Sequence, residues 1–315
     1  MIVNLVRRIL PMIIKSRSAS EELKLYRILN TRMDLSVEEV HHYWSLEKGF
    51  EGELQFDAWL ADLPGSENWL VLNDLLLECN HTVFQVDTLL LADETLYFFE
   101  VKNYEGDFYI DEKERWRTLA KKEIKNPLFQ LRRSESLLRQ LLQNLGMKAP
   151  IASYIIFINP SFHLYQAPLG QPIIFPTQLK RFSKKLPIKR ANRNGVHIAE
   201  KLLSIHLKES PYKRVPEYTY GQLQKGIICK SCHSCELQFQ DHILVCTKCS
   251  SKEDVRSAVI RSVEEFTLLF RDRNVTTNAI FEWCKVIKSK KVVRKILLEN
   301  YTCIGYGKSS YYVES

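Results

Sequence analysis

The chain has no run of about twenty apolar residues, the length a membrane-spanning helix needs. The opening segment, residues 1–14, is apolar but is interrupted by Arg7, Arg8 and Pro11 and lacks a small-residue cleavage site, so it is read as neither an export signal nor a membrane anchor. Glycine and proline are scarce, 11 each in 315 residues, and no repeat or low-complexity tract interrupts the sequence, which excludes a disordered or fibrous chain. Acid is absent from one stretch that holds Lys180, Arg181, Lys184, Lys185, Lys189, Arg190 and Arg193. That run can dock on phosphates or form a solvated surface. Nothing marks an oxidising compartment, so a cytoplasmic location is expected, and the eight cysteines are assigned to metal binding and packing rather than to disulfides.

What is present is an apolar content of 45% and a net charge of +8, a folded protein with a mild bias toward polyanionic partners. The length exceeds what one hydrophobic core usually serves, so several domains are expected. Residues 17–63 read as helices, with Ser20 and Ser36 as caps followed by Glu21, Glu22, Glu38 and Glu39. Apolar and β-branched runs at 68–78, 83–92, 96–104 and 108–110 read as strands, separated by Asn80, Asp93 and Gly106. Asn126-Pro127 opens a helix with a leucine stripe that ends before Gly146, and 151–158 is a buried strand. A short strand near 172–175, a helix near 196–207, a linker at 211–216 and helices near 253–271, 277–287 and 291–299 follow. This order predicts an α/β core with a mixed central sheet flanked by helices.

The chemistry concentrates at Phe98-Phe99-Glu100-Val101-Lys102, preceded by Gln85-Val86-Asp87. Alternate side chains of a strand share a face, so Glu100 and Lys102 point together while Phe99 and Val101 point into a core, and Asp87 on the preceding strand can converge on the pair. Two carboxylates supply hard oxygen ligands for Mg²⁺ or Mn²⁺, a lysine supplies a cation near the attacking water, and the Val101 carbonyl can add a further ligand. The triplet alone is an ordinary strand face. It gains meaning from its company: Lys48-Gly49-Phe50-Glu51-Gly52-Glu53 on an early helix, Asn73-Asp74, Gln85-Val86-Asp87, Glu100-Val101-Lys102-Asn103 with Gly106, and Asn126-Pro127 with Gln130.

That series, about 120 residues long, resembles the NERD (nuclease-related domain) family, which is similar to the PD-(D/E)XK restriction-endonuclease superfamily. The resemblance implies a restriction-endonuclease-like fold and a metal-dependent phosphodiester hydrolase acting on nucleic acid, DNA rather than RNA. It implies Asp87 and Glu100 as metal ligands, Lys102 as the catalytic cation, Glu53 as an accessory acid and Gln130 near the site. The family usually has histidine after the aspartate; here it is Thr88. Asp74 is read as a turn or capping acid outside the site, and Gly49 and Gly52 as allowing close approach of the helix. The alternative is a nucleic-acid-binding or regulatory protein that keeps the nuclease core as a scaffold.

Cys229-x2-Cys232 and Cys246-x2-Cys249, separated by 13 residues, have the spacing of a structural Zn²⁺ site closed by four thiolates. Cys232-x2-Cys235 is a competing knuckle; the Ile227-Ile228 lead-in favours Cys229 and Cys232. The module resembles a zinc ribbon. The last forty residues, helix, basic helix and hairpin, resemble a winged helix-turn-helix outline that would bring Lys291, Arg294 or Lys295 to a groove or phosphate. The expected divisions are a helical region at 1–44, the nuclease-like domain at 45–165, a basic extension at 166–222, the ribbon at 223–252 and the helical end at 253–315.

Overall fold

A computed structural model describes residues 12–314 of the protein, so most of the opening apolar segment lies outside the described residues. The chain forms two compact units. Of the described residues, the larger comprises 12–19 and 44–213, and the smaller 20–43 and 214–314. In chain order the elements of the first half are β1 (Met12–Lys15), α1 (Glu21–Arg32), α2 (Val37–Ala61), β2 (Leu70–Cys79), β3 (Thr82–Ala92), β4 (Thr95–Lys102), β5 (Gly106–Ile110), β6 (Trp116–Thr118), β7 (Glu123–Ile124) and α3 (Pro127–Asn144). They are followed by β8 (Ile151–Phe157), β9 (Phe162–Tyr165), β10 (Ile173–Ile174), α4 (Leu179–Phe182) and α5 (Arg193–Ser204). The remainder holds β11 (Leu237–Gln240), β12 (Ile243–Cys246), β13 (Lys252–Asp254), α6 (Val255–Leu269), α7 (Thr277–Cys284), α8 (Lys290–Asn300), β14 (Thr302–Ile304) and β15 (Tyr311–Val313).

The larger unit is a mixed α/β sandwich. Its six-stranded sheet runs β1-β2-β3-β4-β8-β10, antiparallel between β2, β3 and β4 and parallel at β1–β2, β4–β8 and β8–β10. A second sheet, β7-β6-β5-β9, lies beyond the end of β4. Asn80 and His81 both take positive φ, as a two-residue hairpin turn between β2 and β3 requires. One sheet face packs Leu89, Leu91, Leu96 and Phe98 with the Leu128, Leu131, Leu138, Leu141 and Leu142 stripe of α3 and with Ile198 and Leu202 of α5. The other packs Leu90, Phe99, Val101 and Ile156 against Phe56 and Leu60 of α2 and Phe182 of α4. The Asn126 side chain accepts the Leu128 amide at 2.9 Å and Pro127 fills the first turn, which fixes where α3 begins.

The β2–β3 hairpin departs from simple alternation. Leu70 and Leu72 face the α3 side, and so do Leu75 and Leu77; on β3, Leu89 and Leu91 share that face with Val86 and Phe84. The pairing nevertheless runs on without a shift from Asn73↔Thr88 to Leu75↔Val86. The side-chain alternation therefore reverses where Asp74 and Asp87 face each other, and Asp74 takes φ 51° there. A non-glycine residue at positive φ inside a strand is uncommon, and the polar groups described below account for it.

In the smaller unit Ser20 caps α1, its hydroxyl accepting the Leu23 amide at 3.1 Å. Leu25 and Leu29 of α1 join one apolar cluster with Val259 and Phe266 of α6, Ile280 and Trp283 of α7 and Leu297 of α8. Arg32 is buried in this unit, paired with Glu265 and lying 4.1 Å over the Trp283 ring. β11, β12 and β13 form an antiparallel sheet, and β14 pairs with β15. Among the described residues no helix is long and apolar enough to cross a membrane.

Candidate active site and metal centre

The candidate site is built where the β3–β4 ladder ends. The last ladder pair is Thr88↔Phe99, so one step further sets Asp87 against Glu100. There the strands stop exchanging backbone bonds, and the Asp87 Oδ2 atom instead accepts the Val101 amide at 2.9 Å. The carboxylate does the work of a backbone carbonyl, which fixes its position on the edge of the gap.

Glu100 is 1% exposed. Its Oε1 accepts the Lys102 ammonium at 2.7 Å and the Gln130 amide, and Lys102 also donates to Gln130 Oε1 at 3.2 Å. Its Oε2 is buried without a hydrogen-bond partner. An ionisable oxygen left in that condition costs free energy unless a proton or a cation satisfies it. Burial first, then the charge of Asp87, pushes the Glu100 carboxyl above the usual carboxylate range, against the pull of Lys102. Burial works against the Lys102 ammonium, yet Glu100 and Asp87 hold its pKa above the ordinary lysine value, so it stays charged at neutral pH. Glu100 and Lys102 do not lie on an open strand face: α3 packs over it, and Gln130 bridges the two side chains.

Glu53 enters from α2. Gly52 lets the helix come close, since a Cβ at that position would collide with the Asn103 side chain, whereas one at Gly49 would meet open space. Only Gly52 of the two is required by packing. Asn103 donates to the Lys48 carbonyl at 2.7 Å and accepts from Asn159 at 3.0 Å, tying the end of β4 to α2. Burial, followed by the charge of Asp87, raises the Glu53 carboxyl, and Arg17 opposes the shift.

Arg17, just beyond β1, carries a side chain only 2% exposed. Its Nε and Nη2 fork onto Asp57 at 2.7 and 3.0 Å, and Nη1 bridges Glu53 at 2.9 Å and Asp74. Nη2 also donates to the Asp87 carbonyl at 3.0 Å and to Thr88 Oγ1 at 2.8 Å. Asp74 is thus neither a turn nor a capping acid: it sits within β2 and holds this guanidinium, which accounts for its backbone conformation. The structure brings together Glu53, Asp87, Glu100, Lys102 and Gln130, with Val101 contributing its amide. Sequence reasoning missed Arg17 and Asp57. The available signal was Lys15 and Arg17, two apart after an apolar run, as a strand edge would carry them.

The second constellation lies in the smaller unit. The sulfurs of Cys229, Cys232, Cys246 and Cys249 all lie within 4.8 Å of one another, with Cys229–Cys249 at 3.7 Å and Cys232–Cys246 at 3.5 Å. A tetrahedron of sulfurs about 2.3 Å from Zn²⁺ has edges of about 3.8 Å, so the set is compatible with structural zinc. Cys235 is outside the cluster, which selects the Cys229–Cys232 knuckle. The Ser231 amide donates to Cys229 Sγ at 3.4 Å, as a tight turn around a thiolate ligand does.

Residues 48–158, which carry the first site, match the family model described as NERD, nuclease-related domain. No curated protein and no solved structure matches the chain.

Proposed function

We propose that the nuclease-related region hydrolyses phosphodiester bonds of DNA in a reaction that requires Mg²⁺ or Mn²⁺. The observation that carries this reading is the buried, unpartnered Oε2 of Glu100 beside Asp87 and Lys102. Asp87 and Glu100 would hold the cation, with the Val101 carbonyl as a further ligand. When bound, it would supply Lewis-acid charge for the phosphate and lower the pKa of an attacking water.

The chain's own groups do the rest. Lys102 keeps its proton and serves as a fixed positive charge that orients the attacking water and meets the developing negative charge. Gln130 bridges Lys102 and Glu100 and so restrains both. Glu53, its carboxyl raised by burial, is the accessory acid suited to exchanging a proton near neutral pH.

The test is to incubate the purified protein with circular plasmid, linear duplex and single-stranded DNA, with Mg²⁺, with Mn²⁺ and without divalent metal, alongside Lys102→Ala. Metal-dependent cleavage that falls by about 10²–10³-fold in the variant is expected, the loss typical of a removed electrostatic stabiliser. Cleavage by Lys102→Ala at the wild-type rate would overturn the assignment. Salt-sensitive binding without turnover on DNA or RNA would favour the scaffold reading.

A further inference from the structure

The smaller unit carries a second arrangement that the hydrolytic site does not use. α6, α7 and α8 follow one another and bury Val263, Ile280, Trp283, Val293 and Leu297 in one cluster. Residues 285–289 join α7 to α8, with Lys285 at φ 53° ending α7. The β14–β15 hairpin follows α8, and the Tyr312 amide returns to the Val275 carbonyl just before α7, at 2.8 Å. Helix, bridging strand, helix, helix and hairpin is the order of a winged helix-turn-helix.

α8 is the third helix of that order and is amphipathic in a specific sense. Val293, Ile296 and Leu297 are buried, while Lys291, Arg294, Lys295 and Leu298 are exposed. The exposed four are spaced by three, one and three residues and so form a single stripe along the helix. Lys295 lies 3.9 Å from Glu299, but no ion pair among the described residues engages Lys291 or Arg294. The turn of the hairpin puts Gly305 and Gly307 at positive φ around Tyr306, which is 97% exposed.

From this topology and stripe we infer that the smaller unit is a binding module for duplex DNA, with α8 entering the major groove through Lys291, Arg294 and Lys295. A convex basic helix calls for a concave anionic partner. A helix is about 10–12 Å across with its side chains, and the B-form major groove is about 12 Å wide. The major groove of an RNA duplex is too deep and narrow to admit it. The flanking hairpin then lies against the backbone beside the groove, where the Tyr306 hydroxyl can reach phosphate. The inference stands independently of whether the nuclease-related region cuts.

The test measures anisotropy of a labelled 20-base-pair DNA duplex with the full chain carrying Lys102→Ala, without added divalent metal and across a range of salt. Lys291→Ala with Arg294→Ala is compared with a control, Lys184→Ala with Lys185→Ala, from the basic stretch of the larger unit. Losing two phosphate contacts should weaken binding about 50-fold near 0.1 M salt and reduce the slope of log K against log salt by about two. Thermal melting of the α8 variant should match its parent, because both side chains are exposed. Unchanged affinity and slope would overturn the inference, as would an equal loss on an RNA duplex or on single-stranded DNA. Failure of the hydrolytic reading would show separately, as absent cleavage by the wild-type protein with metal.

Discussion

Replacing Arg17 with methionine keeps the aliphatic stem and removes the charge from a cation paired with three carboxylates. The guanidinium satisfies Asp57 in a fork, bridges Glu53 and Asp74, and caps the Asp87 carbonyl and the Thr88 hydroxyl. The three carboxylate side chains are 18–21% exposed, so water recovers little of what is lost. Removing one partner of a buried pair costs about 3–5 kcal/mol, because the remaining charges stay desolvated. The carboxylates can escape by taking protons. Glu53 is already raised by burial and by Asp87, and loses an opposing cation in the variant. A carboxyl whose folded pKa lies above its unfolded value makes the folded state bind more protons, so the variant recovers stability as pH falls toward the unfolded carboxyl range near about 4. The expected loss is therefore about 3–5 kcal/mol at pH 8 and clearly smaller at pH 5. Urea unfolding followed by tryptophan fluorescence measures it selectively, since Trp44, Trp59, Trp69 and Trp116 all lie in the larger unit and only Trp283 in the smaller. A loss below about 1 kcal/mol, the size of a surface ion pair, or one equal at both pH values would refute the reasoning.

Gly52→Ala should destabilise the larger unit by about 1–3 kcal/mol by the same assay, because the added methyl overlaps Asn103, whereas Gly49→Ala should be neutral or slightly stabilising. Cys246→Ser should lower the zinc content measured by atomic emission and abolish the cooperative unfolding of the smaller unit, while leaving the tryptophan-monitored transition of the larger unit in place. The Leu76 amide donates to His206 Nδ1 at 3.1 Å, and burial, then Lys15, lowers the pKa of this imidazole. A histidine lowered in the fold contributes stability that is full above its unfolded value of about 6.5 and is lost as pH falls through the folded value. The stability difference between wild type and His206→Leu, read as melting temperature, should accordingly narrow from pH 7.5 to pH 5.

Local pattern made several parts legible. Asn126-Pro127 announced the start of α3, Asn80 and Asp93 marked turns, and paired cysteines announced the thiolate cluster, because each depends on residues a few positions apart. The convergence of Asp87 with Glu100 was legible for the same reason, a hairpin bringing near neighbours together. Arg17 was not, because its partners lie 36 to 71 residues away and the Lys15-x-Arg17 spacing marks a strand edge without pointing to those partners. Asp74 was misread because strand and turn preferences both argue against an aspartate at positive φ within a strand; the ion pair with Arg17 overrides the preference. The cover over Glu100 was not legible, because alternation reports only that two side chains point the same way and the closure depends on where α3 returns. Of the small β7-β6-β5-β9 sheet only β5 was read as a strand; β6, β7 and β9 escaped because they are only two to four residues long.

The division of the smaller unit between residues 20–43 and 214–314 also sets a timetable for synthesis. Leu25 and Leu29 leave the ribosome before any of their partners in α6, α7 and α8 exist. At about 5–20 residues per second, the roughly 220 residues between the end of α1 and the start of α6 impose a wait of about 10 to 45 seconds. The larger unit, whose strands apart from β1 all fall within residues 44–213, can close during that interval. Through it α1 remains an amphipathic segment without a core, open to a chaperone or a protease. The four clustered cysteines arrive late, so metal capture comes near the end of maturation, and a protein truncated before α6 would retain the nuclease-related region while α1 lost every partner in α6, α7 and α8.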